Sequence, residues 1–249
     1  VSGHLAIIGT GPGDPGLLAP RAAAALADAT DLIGYGPYLD RIPERTGQTR
    51  HASDNRVELD RARLALHLAA SGHRVAVVSA GDAGVFGMAA AVFEAVDADP
   101  QHAGLEIEVI PGISALLAAA ARLGAPLGHD FCAISLSDNL KPWPTVLARL
   151  RAVAEAGFVM ALYNPISRAR PWQLGAAFEA LRAVLPGQTP VAFATAISRA
   201  DERVEILSLA DADPLRADMR TLVMVGTAAT RSIARPGGGA WLYTPRSAA

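Results

Sequence analysis

Ile7-Ile8-Gly9-Thr10-Gly11-Pro12-Gly13-Asp14-Pro15-Gly16-Leu17-Leu18 is an apolar, β-branched run that breaks into a glycine-rich turn, and its reading decides the fold. A strand that ends in such a turn is where α/β proteins bring bare backbone close to a ligand. A dinucleotide-binding loop does not fit. The third glycine of that fingerprint falls at Asp14, Pro15 follows it, and the next strand ends in Gly34-Tyr35-Gly36 instead of an acidic residue for a ribose. A phosphate loop is excluded too, because no Gly-Lys-Ser/Thr occurs.

Outward from this turn, apolar β-type runs at 5–9, 31–35, 75–79 and 106–110 alternate with Ala/Leu-rich helical stretches. That alternation predicts a mainly parallel sheet. The spacing of Leu59, Ala62, Leu66 and Ala69 predicts a helix over 56–71, capped by Asp54 and ended by Gly72, with Arg61 and Arg63 off its apolar face. A helix over 88–96 follows a second turn, Gly81-Asp82-Ala83-Gly84-Val85-Phe86-Gly87, and a third starts near Gly112 after Pro111. Breakers concentrate at 123–129 and place a domain joint there, giving domains 1–125 and 126–249. The second half predicts strands at 131–136, 158–163, 191–194, 204–209 and 221–226 and helices at 145–156 and 171–185. The return from 198–202 into 204–207 reads as a hairpin, so this sheet is expected to be mixed, and 244–249 reads as a frayed tail.

The 249 residues are 51% hydrophobic, ample for a buried core, and no apolar run reaches the roughly 20 residues of a membrane span. No export signal is visible, and a single cysteine, Cys132, excludes an internal disulfide and fits a reducing cytoplasm. Histidines at 4, 51, 67, 73, 102 and 129 include no pair four apart, and with no cysteine cluster a protein-held metal is not expected. Net charge is −2 and Lys141 is the single lysine, so no polybasic surface for nucleic acid is expected. Cations that are nearly all arginine suit recognition of separate carboxylates by two parallel hydrogen bonds.

Three further small-residue segments follow: Pro111-Gly112-Ile113-Ser114-Ala115, Leu162-Tyr163-Asn164-Pro165 and Thr195-Ala196-Ile197-Ser198. With the opening turn, the Gly-Asp turn at 81–87 and the closing Val223-Met224-Val225-Gly226-Thr227, they make an ordered set spanning nearly the whole chain. This set resembles the tetrapyrrole methylases, the class III methyltransferases. Gly34-Tyr35-Gly36-Pro37-Tyr38-Leu39, Leu162–Pro165 and 195–199 look most like the branch that methylates carbon 17 of a precorrin and contracts the ring. The resemblance implies two α/β domains with a ligand cleft between them, holding S-adenosylmethionine that leaves as S-adenosylhomocysteine. It also implies a tetrapyrrole (precorrin) substrate and a homodimer, and with the cysteine usage, charge and short apolar runs above the expectation is a cytoplasmic protein with neither nucleic acid nor membrane as a partner. Another precorrin or cobalt-precorrin carbon as the target stays open.

Carried over by position, the resemblance implies cofactor contacts from Pro12, Gly81, Asp82, Val85, Ser114 and Ala115, and from Asn164 and Ala196. One position departs: uroporphyrinogen-methylating relatives carry an Asp just after the tyrosine aligned with Tyr35, where this chain has Gly36. Methyl transfer needs alignment above all, whereas ring contraction needs proton transfers. Asp14, Tyr35, His51 and Asp138 are the candidates for those, each with a plain alternative as turn closure, core aromatic or loop residue. Arg41, Arg45, Arg50, Arg168 and Arg170 stand in predicted loops as candidates for the acetate and propionate arms of the substrate, and surface charge is the plain alternative for each.

Overall fold

The computed structural model describes residues 3–54 and 57–247. Backbone contacts divide the chain into two units, Val1–Ala115 and Leu116–Ala249.

The first unit runs β1 (His4–Gly9), α1 (Pro20–Asp28), β2 (Asp31–Tyr35), α2 (Gly36–Leu39), β3 (Thr49–Ser53), α3 (Glu58–Ala70), β4 (Arg74–Ser79), α4 (Met88–Ala98) and β5 (Glu106–Ile110). The strands form one sheet in the order β3-β2-β4-β1-β5, every pair parallel. Side chains alternate across a strand, so β1 sends Leu5 and Ile7 to a layer built by α3 and α4, and Ala6 and Ile8 to a layer built by α1. Both faces are covered, which is why the central strands are continuously apolar.

Three features differ from the sequence reading: an edge strand, the cap of α3, and the places of Arg61 and Leu59. Thr49–Ser53 is a strand that carries no apolar signal, because it is the sheet's edge and stays half-exposed. The first turn of α3 is capped at Val57 without a side-chain hydrogen bond, so Asp54 is not its cap. Asp54 instead offers its carbonyl to Arg61 Nη2 at 2.8 Å, while Arg61 Nε donates to Ser53 Oγ at 2.9 Å. Arg61 is therefore buried, tying the end of β3 to α3, and Leu59 is the residue left exposed. Position 56, in the predicted helix start, lies outside the described residues.

α5 (Ala115–Leu123) leads into the second unit, followed by β6 (Gly124–Ala125), β7 (Phe131–Ser135), α6 (Trp143–Glu155), β8 (Val159–Tyr163), α7 (Gln173–Arg182), β9 (Pro190–Thr195), β10 (Arg203–Ser208), β11 (Thr221–Val225), β12 (Arg231–Ala234) and β13 (Ala240–Tyr243). The division falls ahead of the joint read from the breakers at 123–129. Leu116 N donates to Tyr163 Oη at 3.0 Å, and β6 pairs with β13, so 116–125 is held to later parts of the chain. The main sheet has the order β10-β9-β11-β8-β7. It is mixed: β7 and β8 are parallel, and β11 is antiparallel to both β8 and β9. Its core gathers Leu150, Leu174, Phe178, Leu181 and Phe193, with the Phe178 and Phe193 rings edge to face. Thr244, the first residue of the expected frayed tail, is buried: its N donates to Ala125 O at 3.1 Å and its Oγ1 to Pro126 O at 2.6 Å. Residues 248 and 249 lie outside the described residues.

Candidate functional site

In the first unit the connection from β1 leads across β4 to β2, while the connection from β4 leads across β1 to β5. Neighbouring strands whose connections depart in opposite directions leave a crevice at their carboxyl ends, where open α/β sheets take ligands. Both turns of the sequence reading stand there. Gly11 and Gly81 exchange backbone hydrogen bonds at 3.0 and 2.8 Å, each in the left-handed region with φ of 77° and 67°. The corner after β5 closes on the same place. A Cβ on Gly112 would lie 2.2 Å from the Gly81 carbonyl oxygen and 2.6 Å from that of Gly9.

Asp82 supplies the tie, since one carboxylate oxygen accepts from Gly84 N at 2.8 Å and the other from Gly112 N at 3.0 Å. It does not cap α4. That role falls to Ser79, whose Oγ accepts from Met88 N at 2.9 Å. Pro12, Gly81 and Ser114 are buried in this junction, and Asp82, Val85 and Ala115 are half-buried around it. Gly9, Gly112 and Ser79 were not singled out from sequence as parts of the junction. A glycine closing β1 and another directly after Pro111 were the available signal.

In the second unit β9 runs the same way as β7 and β8, because β8 and β9 are both antiparallel to β11. The carboxyl ends of these three strands share one edge, and 136–142, 163–172 and 195–202 emerge from it. Asn164 has φ of 52° and donates from Nδ2 to Ser135 Oγ at 3.0 Å. Ala196 has φ of 50°, is buried, and donates from N to Arg220 O at 3.1 Å. Ser198, at φ of 61°, donates its N to Glu202 Oε2 at 2.7 Å, and Glu202 is gripped by Arg122. With Phe86 in the 81–87 turn, these are the four non-glycine residues of positive φ among the described residues. All four stand in turns at carboxyl sheet edges. Side-chain-bearing residues pay for that conformation, and such strain gathers where ligands are held.

The candidates for proton transfer part company. Asp14 is exposed in the first turn, one carboxylate oxygen accepting from Gly16 N at 2.8 Å. Tyr35 ends β2 at the same carboxyl edge, its ring edge-on to Tyr38 at 5.2 Å. His51 is drawn the other way, its Nε2 lying 2.8 Å from Oδ1 of buried Asp31 at the amino end of β2. Asp138, at the second unit's carboxyl edge, accepts from Gln173 Nε2 at 3.3 Å. Burial pushes the Cys132 thiol up, and the side chain packs against the second unit's core.

The glycine-bearing turns that follow β1, β4 and β5 present main-chain groups at the crevice where α/β proteins of this class take small ligands. The family model for tetrapyrrole (corrin/porphyrin) methylases matches residues 4–213, and the chain belongs to this family. It is 57% identical over 247 residues to a precorrin-3B C(17)-methyltransferase of Sinorhizobium, covering 99% of this chain and 97% of that one. It is 42% identical to a probable cobalt-factor III C(17)-methyltransferase of Salmonella typhimurium, over 91% of this chain and 93% of that one. Among solved structures, the methyltransferase CobJ superposes with a TM-score of 0.94 at 53% identity, covering 98% of this chain and 100% of that one. A Thermus thermophilus uroporphyrin-III C-methyltransferase complexed with S-adenosyl homocysteine shares the fold, with a TM-score of 0.65 at 24% identity over 90% of this chain and 92% of that one.

Proposed function

We propose that this chain is an S-adenosylmethionine-dependent C-methyltransferase of corrin-ring biosynthesis, methylating precorrin-3B at carbon 17 with contraction of the ring to precorrin-4. The observation that carries it is the junction of the three turns, where Gly9 and Gly112 pack backbone against backbone too closely for a Cβ and Gly81 takes a left-handed φ, in a chain 57% identical to a relative named for that reaction.

When bound, S-adenosylmethionine supplies an electrophilic methyl group on a sulfonium sulfur. The first unit's residues fit such a ligand: Pro12, Gly81, Val85, Ser114 and Ala115 offer small side chains and backbone groups, suited to an adenine and to a charged amino-acid end. Asp82 holds two of the turns together and keeps lone pairs for a ligand hydroxyl. Asn164 and Ala196 are proposed as further cofactor contacts on the second unit's edge, held in place by Ser135 and by the Arg220 carbonyl.

Asp14 and Tyr35 are proposed to move protons during contraction. The second oxygen of Asp14 and the Tyr35 hydroxyl make no hydrogen bond among the described residues, so both are available at the carboxyl edge. Asp14→Asn and Tyr35→Phe are each expected to lower the rate of contracted product by about 10²-fold while cofactor binding holds within about twofold, the size of a lost acid–base group. Stopped-flow absorbance of the macrocycle with calorimetry of cofactor binding measures both. Rates within threefold of wild type for both variants would remove them from the chemistry.

The reading itself is tested with methyl-labelled S-adenosylmethionine and precorrin-3B, following label, mass and visible spectrum. One methyl gained with the contracted ring supports it, and label that never leaves a bound cofactor defeats the substrate assignment. The relative named for cobalt-factor III makes the cobalt-bearing macrocycle the second substrate to offer. The reading includes a cytoplasmic homodimer, expected in light scattering of the purified chain at about twice the mass of 25.7 kDa. A monomer would remove that part alone. No helix among the described residues is long and apolar enough to cross a membrane.

A further inference from the structure

The five arginines of the predicted loops separate once their surroundings are known. Arg50 spends its guanidinium on the carbonyls of Leu39 and Ile42, at 2.8 and 2.7 Å. Arg41 lies over the Tyr38 ring, 5.5 Å from its centroid. Arg45 lines a cavity with Thr46, Gly47, Gln48 and Arg74, beside the amino ends of β2, β3 and β4 and away from the turn edge. Arg168 is exposed. Arg170 differs from all of these: its Nε and Nη1 are shielded from solvent and have no hydrogen-bond partner, and the same is true of Ser167 Oγ.

Those groups are not loosely placed. Ser167 and Arg170 close a tight turn with two reciprocal backbone hydrogen bonds, 3.1 and 3.0 Å. The turn lies between β8 and α7, on the carboxyl edge that also carries Asn164. At its far end Trp172 packs edge-on against Trp143 at 4.9 Å, and Gln173 Nε2 reaches Asp138. The Arg170 side chain makes no ion pair among the described residues, and Asp138, the carboxylate of the adjoining loop, is engaged with Gln173. A charged donor shielded from water without an acceptor is costly, and the cost falls away once an anion arrives. Nη2 also bonds to nothing in the described chain but is not shielded, so the guanidinium can be approached from that side.

We infer that Arg170, with Ser167 as a further donor, is the recognition site for one carboxylate arm of the tetrapyrrole. This rests on the proposed substrate. Nη2 is the donor open to an incoming carboxylate, and a paired grip forms once the 167–170 turn or the side chain shifts to uncover Nε or Nη1, a geometry that an ammonium at this position does not offer. Arg170 here holds substrate and takes no part in the bond changes.

The test is the full chain with precorrin-3B, comparing wild type, Arg170→Gln, Arg170→Lys and Ser167→Ala. Arg170→Gln is expected to raise KM for precorrin-3B, and its dissociation constant read from tryptophan fluorescence quenching without cofactor, by about 10- to 100-fold, with kcat within about threefold. The dissociation constant for S-adenosylmethionine stays within about twofold. Arg170→Lys recovers part of the affinity, and Ser167→Ala raises KM about threefold to tenfold. An unchanged KM in both Arg170 variants overturns the inference, as expected if internal water satisfies the guanidinium. So does a parallel loss of kcat, tetrapyrrole binding, cofactor binding and melting temperature, which marks an arginine that only supports the loop. If Arg170→Gln fails to fold, an unchanged KM in Arg170→Lys and Ser167→Ala decides against it. A wild-type chain that binds cofactor but leaves precorrin-3B untouched and unbound is a different result, and it removes the proposed substrate and this inference with it.

Discussion

Gly112→Ala is expected to abolish measurable S-adenosylmethionine binding and to lower the melting temperature by about 10 °C. The added methyl would lie 2.2 Å from the Gly81 carbonyl oxygen and 2.6 Å from the carbonyl carbon and oxygen of Gly9. All three atoms are backbone, so no rotamer change relieves the clash. Relief requires the turns after β1, β4 and β5 to separate, which breaks the Gly11–Gly81 pairing and pulls Gly112 N from Asp82 Oδ2. Overpacking of this kind costs about 3 kcal/mol, and for a chain of this size each kcal/mol is worth roughly 2–4 °C. Gly36→Ala is the contrasting variant, since its Cβ meets nothing within 4 Å. It should melt within about 2 °C of wild type. Scanning calorimetry and isothermal titration give both quantities. Retention of cofactor affinity within threefold in Gly112→Ala would mean that the ligand is not held at this junction.

The first unit was legible in sequence where its signals are local. A strand that ends in glycine advertises its own turn, and continuous apolar strands advertise a sheet covered on both faces, so β1, β2, β4 and β5 and the turns at Gly11 and Gly81 follow from neighbouring residues alone. Thr49–Ser53 escaped because an edge strand with half-exposed, polar residues has no periodic signature. Arg61 escaped for a related reason: helical spacing assigns a charged residue to solvent, and only the position of Ser53 and Asp54 gives it a buried place. The family resemblance pointed to Asn164 and Ala196, but their left-handed backbone was not legible, since nothing in a non-glycine side chain announces a positive φ. The choice among the five loop arginines depended on burial and on partners such as the Leu39 and Ile42 carbonyls, and these are properties of the packed chain. His51 is the clearest case. Its partner Asp31, whose other oxygen is held by His73, lies 20 residues away on a separate strand, so spacing could not show that the ring was already engaged.

Asp31→Asn is expected to destabilise the chain by about 2–3 kcal/mol at pH 7 and to leave its chemistry intact, because the carboxylate is a structural acceptor at the end of the sheet opposite the turns. Asp31 is 4% exposed, with Oδ1 2.8 Å from His51 Nε2, Oδ2 2.7 Å from His73 Nδ1 and Thr30 Oγ1 donating to Oδ2 at 2.8 Å. Burial by itself pushes such a carboxyl up, but the hydrogen bonds from His51, His73 and Thr30 outweigh it and hold the group below its ordinary value. The sign of the pH dependence follows. A carboxyl depressed in the folded state contributes stability that is present above its unfolded value of about 3.9 and is lost as pH falls through the folded value. The stability difference between wild type and Asp31→Asn should therefore be present at pH 5 and above and shrink below about pH 4, as urea denaturation at a series of pH values would show. The amide offers one acceptor oxygen where the carboxylate offers two, so one imidazole must turn to its other tautomer and accept from the amide NH2, and the loss of two hydrogen bonds to a charged acceptor is the source of the destabilisation. At 25 °C and pH 7 the folded Asp31→Asn and His51→Gln proteins should keep kcat and cofactor affinity within about twofold of wild type, as substitutions remote from the reacting groups do. A collapse of kcat in a folded His51→Gln would return that histidine to the chemistry and show that its bond to Asp31 orients a working base.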